Sequence, residues 1–369
     1  MSQRVLVRAG AHARRHCPLR IPWGGAAPAG LALGGRVLPA QPDGDAIAVI
    51  VPFAAASDTL EMSPAPVPAG GGVRVEDRGD RVEVWLDGEE LTVYRYADVP
   101  ARPYFWPLRA PGGVPLTRAW PMAEEVPDET RDHHHHRSLY FAFGAVNGVD
   151  NWSEEPGHGR TVHRSVDEAV GGPVFGRLAT TADWTDAVGA RVLEQKAIVT
   201  FWRGSPELRL IDIDLTLTAT DGDALFGDTK EGGIVTVRVA SAMDVPRGGR
   251  IENSFGGVDE AETWGRAAHW CDYSGVVDGR RVGVAVMDHP LSFRYPTYWH
   301  VRNYGLMGAN PFALGDYTRG QKDGAHLLPR GESLRFVYRL ALHAGDAQEA
   351  GIREHYLSFV SPPVAEATE

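Results

Sequence analysis

Histidines, carboxylates and arginines recur together in three short segments of this 369-residue chain. The first reads Arg131-Asp132-His133-His134-His135-His136-Arg137. Imidazole titrates nearest neutrality, so such a run supplies general acids, general bases or metal ligands. Side chains alternate along an extended segment. If the run is a strand, His133 and His135 share one side, His134 and His136 the other, and only part of it lines a single site. An exposed loop with incidental histidines is the competing reading.

The second segment is Asp288-His289-Pro290, followed by Trp299-His300-Val301-Arg302-Asn303-Tyr304-Gly305 and Asn310-Pro311-Phe312. On a strand, His300 and Arg302 face one way and Val301 the other. An arginine beside a histidine suits an anionic or oxyanion-like group. Trp299 and Tyr298 offer flat faces to a sugar ring, unless they are core and Arg302 only braces a carboxylate. The third segment, Gly227-Asp228-Thr229-Lys230-Glu231-Gly232, packs acids and a lysine into a Gly-bounded turn. Each group there shifts its neighbour's pKa; a charged hairpin loop is the bland alternative. Arg102 lies among aromatics in Arg102-Pro103-Tyr104-Phe105-Trp106-Pro107, and Asn147 reads as a turn residue.

Other chemistries lack their motifs. There is no Gly-x-Ser-x-Gly elbow, HExxH, GxGxxG or P-loop spacing, which removes the common hydrolase, zincin and nucleotide readings. Net charge is -11 with no basic stripe, a poor match to nucleic acid. The two cysteines, Cys17 and Cys271, form no CxxC pair and read as reduced structural residues. The longest apolar run, Ala46 to Ala56, is far short of the roughly 20 residues that cross a bilayer. No apolar stretch follows the arginine-bearing start, so the expectation is a cytoplasmic protein without membrane contact.

The elements that must position these groups are mostly strands. Glycine (43) and proline (26) together make nearly a fifth of the chain, favouring turns and short strands. Val73, Val75, Val82, Val84 and Leu86 alternate about a turn at Asp77 to Asp80 and predict a hairpin. Further strands are expected at Ala197 to Phe201, Leu208 to Leu217, Ile234 to Ala240, Val282 to Met287 and Leu334 to Leu342. A phase shift at Leu210–Ile211 predicts a bulge. Helix is expected at Asp346 to Phe359, and a short one around Val166 to Val170. The Pro/Gly stretch Ser63 to Gly72 reads as a linker. It divides a small N-terminal β unit, 1–70, from a large domain, 71–365. Without a βαβ rhythm, that domain is expected to be a large antiparallel β-sandwich with a short C-terminal helix.

These segments, in this order, resemble a bacterial family catalogued as methane oxygenase PmoA. Its pattern is matched by Arg102 to Leu108, Asp132 to Leu139, Val146 to Gly148 with Trp152, Gly227 to Gly232, Trp270 to Gly275, Asp288 to Pro290, and Trp299 to Phe312. His134 stands where proline is usual and Ser138 where glycine is usual, so the resemblance implies that His134 is dispensable. The family's name is not read as its activity, because the particulate enzyme's subunit of that name spans membranes several times. The resemblance implies a supersandwich similar to galactose mutarotases and polysaccharide lyases, and a place beside sugar-oxidising enzymes.

The sequence therefore leads to an enzyme acting on a sugar or oxidised, keto sugar by proton abstraction, of lyase, hydratase or epimerase type. Candidate catalytic residues are His133, His135, His136, Arg137, Lys230, Glu231, Asp288, His300 and Arg302. Candidate substrate contacts are Arg102, Trp106, Asn147, Trp152, Trp299, Tyr304 and Asn310. Three histidines and a carboxylate would also suffice for a divalent metal, so a metal-dependent oxygenase or hydrolase is the alternative. A non-catalytic sugar-binding protein is the third reading. The oligomeric state stays open.

Overall fold

The computed structural model describes residues 4–67, 70–124 and 126–368. Residues 1–3 of the N-terminal unit and 68–69 of the expected linker lie outside the described residues. Among those described, the strands form antiparallel sheets of 11, 8, 5 and 3 strands.

The two large sheets are the sandwich. One runs in spatial order from Arg160–Val170 through Phe175–Thr185, Arg191–Ser205, Leu208–Ala219, Ser333–Ala344, Arg280–Asp288 and Trp270–Val277 to Arg250–Asn253. The other runs from Trp299–Arg302 through Leu306–Ala309, Gly232–Arg238, Leu139–Val146, Tyr104–Leu108, Glu89–Arg95 and Arg81–Leu86 to Val73–Asp77. Their inner faces share one apolar core, which includes Phe105, Phe143, Val237, Trp299, Val301 and Met307 from the second sheet, with Phe201, Ile211, Ile213, Val284 and Leu340 from the first.

Alternation decides what the second sheet shows outward. Trp299 and Val301 enter the core, so His300 and Arg302 turn away from it. Thr236 and Arg238 alternate with Val235 and Val237 in the same way. Each large apolar side chain removed from water is worth about 1.5–3 kcal/mol. A one-residue slip would trade Trp299 and Val301 for an imidazole and a guanidinium, so the register is firmly specified. The candidate residues thus meet on the outer face of this sheet. Thr130, Asp132 and His136, from the segment that links Tyr104–Leu108 to Leu139–Val146, lie against that face at Arg238.

The outer face of the eight-stranded sheet is covered as well. Ala48 from the N-terminal unit, with Ile352 and Tyr356 from the helix Ile352–Val360, packs on Trp202, Leu208, Leu210 and Met287. Residues 4–65 have an apolar core of their own, and the strand Val364–Thr368 returns to pair with Arg4–Arg8.

Several local expectations change. The helix starts at Ile352, not Asp346, because Ala347 to Gly351 form a tight turn ending in a left-handed glycine. Val166 to Val170 is strand, held in Arg160–Val170 against Phe175–Thr185. Leu210–Ile211 carries no bulge; the pairing runs unbroken across it on both sides. Ser63 to Ala65, expected as linker, belongs to the strand Thr59–Ala65. The hairpin at 73–86 and the strands around Leu208 to Leu217, Val282 to Met287 and Leu334 to Leu342 lie where the sequence pattern places them.

Candidate active site

The four-histidine run is a turn, not a strand. His133 adopts a left-handed φ of 46°, and the His136 amide donates to the His133 carbonyl at 3.0 Å. Residues three apart therefore come together. The His133 and His136 rings stack at 4.8 Å with 3° between planes. His135 stands edge-on to His136 at 4.4 Å and to Trp152 at 5.9 Å. This corrects the expected pairing of His133 with His135.

Two buried arginines hold the turn in place. Arg118 donates to Oδ1 of Asp132 at 2.5 Å and to the carbonyls of Asp132 and His133 at 2.8 and 2.9 Å. Arg238 donates from Nη2 to the same Oδ1 at 2.8 Å and from Nη1 to Nδ1 of His136 at 3.3 Å. The two guanidinia share this one carboxylate directly behind His136.

The second segment contributes His300, nearly fully buried. Its Nδ1 lies 3.3 Å from the Gly232 carbonyl. The strands beside it meet at glycines: a Cβ on Gly233 would sit 2.9 Å from Cα of Gly308 on the neighbouring strand. Arg302 pairs through Nε with Glu260 at 2.9 Å and lies over the Tyr304 ring. Glu260 is itself fixed, since its Oε2 accepts from the Asn303 amide and its amide donates to Asn303 Oδ1.

The third segment is pinned by its backbone. Asp228 accepts from the amides of Gly315 and Gly324, both at 2.7 Å. Asp316 accepts from the Lys230 amide at 2.8 Å. Asn310 donates to the carbonyls of Thr229 and Lys230 at 3.0 and 3.3 Å. Lys230 and Glu231 then contact each other through their charged ends.

The three segments converge. His133 and His136, Lys230 and Glu231, then His300, Arg302 and Tyr304, with Leu306, enclose one cavity of about 310 Å³. A larger cleft of about 610 Å³ lies between the N-terminal unit and the sandwich. Prolines line much of it, and Arg203 and Arg209 there are paired with Asp87 and Glu89. Titratable side chains from all three segments converge on the smaller cavity.

The remaining candidates divide into supports and strangers. Trp152 and His135 back the cavity without lining it; Trp152 lies 5.5 Å from His136 and 6.3 Å from His300. Arg137 is spent on Glu154 through two bonds of 2.8 and 2.7 Å. Arg102 is buried and donates to the carbonyls of Asn151, Trp152 and Ser153. Asn310 is the clamp described above. Asn147 is a turn residue at φ 51°, bonded to Asp223 and Leu225. Trp106 lies under Arg95. Trp299 is wholly buried and donates to the Ala268 carbonyl. Asp288 is wholly buried and accepts from the Thr297 amide. None of the four tryptophan and carboxylate positions Trp106, Trp152, Trp299 and Asp288 reaches the cavity wall. The Tyr304 ring does, but it is taken up by His133 at 4.9 Å, Arg238 and Arg302.

Burial keeps His135, His136 and His300 neutral at pH 7. Burial pushes His300 down to about 4, against the pull of the Glu231 carboxylate. Burial takes His136 well below its ordinary value, with His135 and Arg238 adding to it. His135 falls to about 4 through burial and then Arg102. Partial burial opposes ionisation of Glu231, but the Lys230 ammonium outweighs it and holds the carboxyl low. Asp132 is likewise partly buried, yet His133 and the two guanidinia hold it far below the carboxylate range.

The neutral rings have opposite polarity. A carbonyl only accepts, so Nδ1 of His300 carries the proton and Nε2 holds a lone pair. A guanidinium only donates, so Nδ1 of His136 is bare and Nε2 carries the proton. No group of three or more His, Cys, Asp or Glu side chains among the described residues is arranged to hold a metal ion.

A family of unknown function, DUF6807, matches residues 81–357. The chain belongs to that family. The matched stretch contains all three segments of the cavity. No curated protein matches in sequence. Among solved structures, the chain is similar to an alpha-mannosidase from Enterococcus faecalis V583 at TM-score 0.40 and 9% identity, covering 100% of this chain and 46% of that one. It thus spans about half the length of the mannosidase. A galactose mutarotase related enzyme from Lactobacillus acidophilus gives 0.27 and 12%, covering 73% and 97%. A GalM/aldose epimerase homologue from C. elegans gives 0.30 and 9%, covering 75% and 99%. Among the described residues of this family member, no helix is long and apolar enough to cross a membrane.

Sequence reasoning passed over Arg118, Arg238 and Glu260. Arg238 had a signal: it is the lone charge in the otherwise apolar strand Gly232–Arg238. Arg118 and Glu260 had none, since neither lies in a periodic or motif-bearing stretch.

Proposed function

We propose that this protein is a carbohydrate-processing enzyme that enolises an oxidised, keto sugar. The observation that carries the reading is the pair of buried neutral histidines of opposite polarity on one cavity. Nε2 of His300 accepts the proton α to the carbonyl, and the C–H electron pair becomes the new C=C bond. The carbonyl oxygen takes the negative charge and lies against the Nε2–H of His136, backed by Arg238. A neutral imidazole as electrophile beside a separate base is a known arrangement for enolisation. Glu231 then stabilises the imidazolium formed on His300.

The cavity favours a compact polyol. Its volume lies at the small end for ligand sites, and seven of its eight lining side chains are polar. A base of pKa about 4 is weak, so the α-proton must be acidified by a ketone already present. Elimination, hydration and epimerisation all begin with this step.

The test is incubation with a 3-keto-glucoside in D2O, following exchange at the carbon α to the ketone by NMR and loss of the alkali-labile chromophore. Wild type accelerates both and His300→Ala accelerates neither. The reading fails if wild type does no better than buffer and no keto sugar shifts the melting temperature.

A further inference from the structure

We infer that the sugar taken by this cavity carries an oxyanion, a carboxylate or a phosphate, received by the fork of Arg302. The inference rests on the enolising site proposed above and names its substrate class. Three guanidinia are central to this region, and two are spent. Arg118 and Arg238 distribute their donors over Asp132, backbone carbonyls, Thr130 and His136. Arg302 is different. Glu260 engages its Nε, and the Tyr304 ring lies against its plane. Neither terminal amino group of Arg302 hydrogen-bonds a protein atom among the described residues, although the residue lines the cavity. A guanidinium held by an ion pair beside Nε and by a ring on one face leaves its two outer amino groups side by side. That geometry matches the two oxygens of a carboxylate or phosphate.

Two cations, Lys230 and Arg302, reach the cavity wall; their carboxylate partners are Glu231 on the wall and Glu260 behind it. The absence of a free aromatic face on the wall points the same way, since a neutral sugar would have to be held by polar contacts alone. With its ring engaged by His133, Arg238 and Arg302, Tyr304 offers no stacking platform.

The experiment compares D-glucuronate, glucose 6-phosphate and D-glucose as probes by calorimetry, then the 3-keto forms of a glucuronide and a glucoside as substrates. Glucuronate or glucose 6-phosphate is expected to bind where glucose does not, and the stronger of the two identifies the source of the oxyanion. Arg302→Gln should weaken that binding by roughly 10- to 100-fold. Arg302→Lys keeps the charge but loses the fork, and should recover only part of it. Glu260→Gln leaves Arg302 in place but unanchored, and tests positioning if Arg302→Gln fails to fold. Equal binding of glucose and both anions, or an anion preference that survives Arg302→Gln, overturns the inference. Turnover of the neutral keto-glucoside at the rate of its acid overturns it while leaving the enolisation reading intact. No binding and no turnover of any probe overturns both.

Discussion

Nη1 of Arg238 donates to Nδ1 of His136 at 3.3 Å. A guanidinium has no lone pair to offer, so this contact fixes the tautomer of a buried ring. The expected result is an Nε2–H tautomer of His136 that stays neutral well below the ordinary titration range of imidazole, read from long-range 1H–15N spectra. Arg238→Met should release that preference. It should also cost about 3 kcal/mol in urea denaturation, the scale for removing one partner of a buried charge. A His136 that titrates near 6.5 in wild type would sink this account.

The low pKa of His300 makes an acid limb. kcat/KM on a keto sugar should fall as pH drops through about 4, because the base must be neutral. Stability should follow the same direction. The unfolded ring titrates near 6.5 and the folded ring near 4, so the unfolded chain binds more protons in between. Stability is therefore lost as pH falls from about 6.5 toward 4, by roughly 3 kcal/mol for this ring. His300→Asn keeps a donor for the Gly232 carbonyl and should flatten the stability profile by about that amount. An unchanged profile would show that the ring is more hydrated than its burial implies.

Asp288 has the opposite sign. Burial raises its carboxyl to about 7, so between about 4 and 7 the folded protein binds the extra proton. Stability is lost as pH rises through that window, on the order of 4 kcal/mol at most. Asp288→Asn should remove that loss and raise the melting temperature at pH 8 while changing little at pH 4. Because Asp288 does not reach the cavity, turnover should survive the substitution. Loss of turnover in a well-folded Asp288→Asn protein would return this residue to the site.

The alternation of His300 and Arg302 against Val301 was legible in the sequence because that strand is covered by core on one face only. The break at Leu210–Ile211 was misread for the converse reason. Ile211 faces the inter-sheet core, while Leu208 and Leu210 lie beneath the C-terminal helix and the N-terminal unit. With both faces dry, an apolar run looks like a phase shift. The histidine run hid its turn because distant arginines impose it: Arg118 reaches His133 across 15 positions and Arg238 reaches His136 across 102. The tryptophans misled through composition. Indole suits a sugar face and a core equally, and burial alone separates the two for Trp152 and Trp299. Membership of the cavity by Lys230 and Glu231 was visible only as a dense charged turn. What distinguishes it from an ordinary hairpin loop is the clamp from Asn310, a residue 80 positions away.

That clamp gives the last prediction. Asn310 is wholly buried, and its side chain satisfies the carbonyls of Thr229 and Lys230 and the amide of Phe312. Asn310→Ala leaves those groups without partners in a dry setting, at about 2–3 kcal/mol. The damage should be local as well as global. Amide hydrogen exchange across residues 228–231 should quicken far more than in the strand Ser333–Ala344, and glucuronate binding should weaken because Lys230 and Glu231 lose their fixed backbone. If Asn310→Ala lowers the melting temperature but leaves exchange in 228–231 and sugar binding as in wild type, then Asn310 is only a satisfied core amide. The placement of Lys230 and Glu231 would then rest on Asp228 and Asp316 alone.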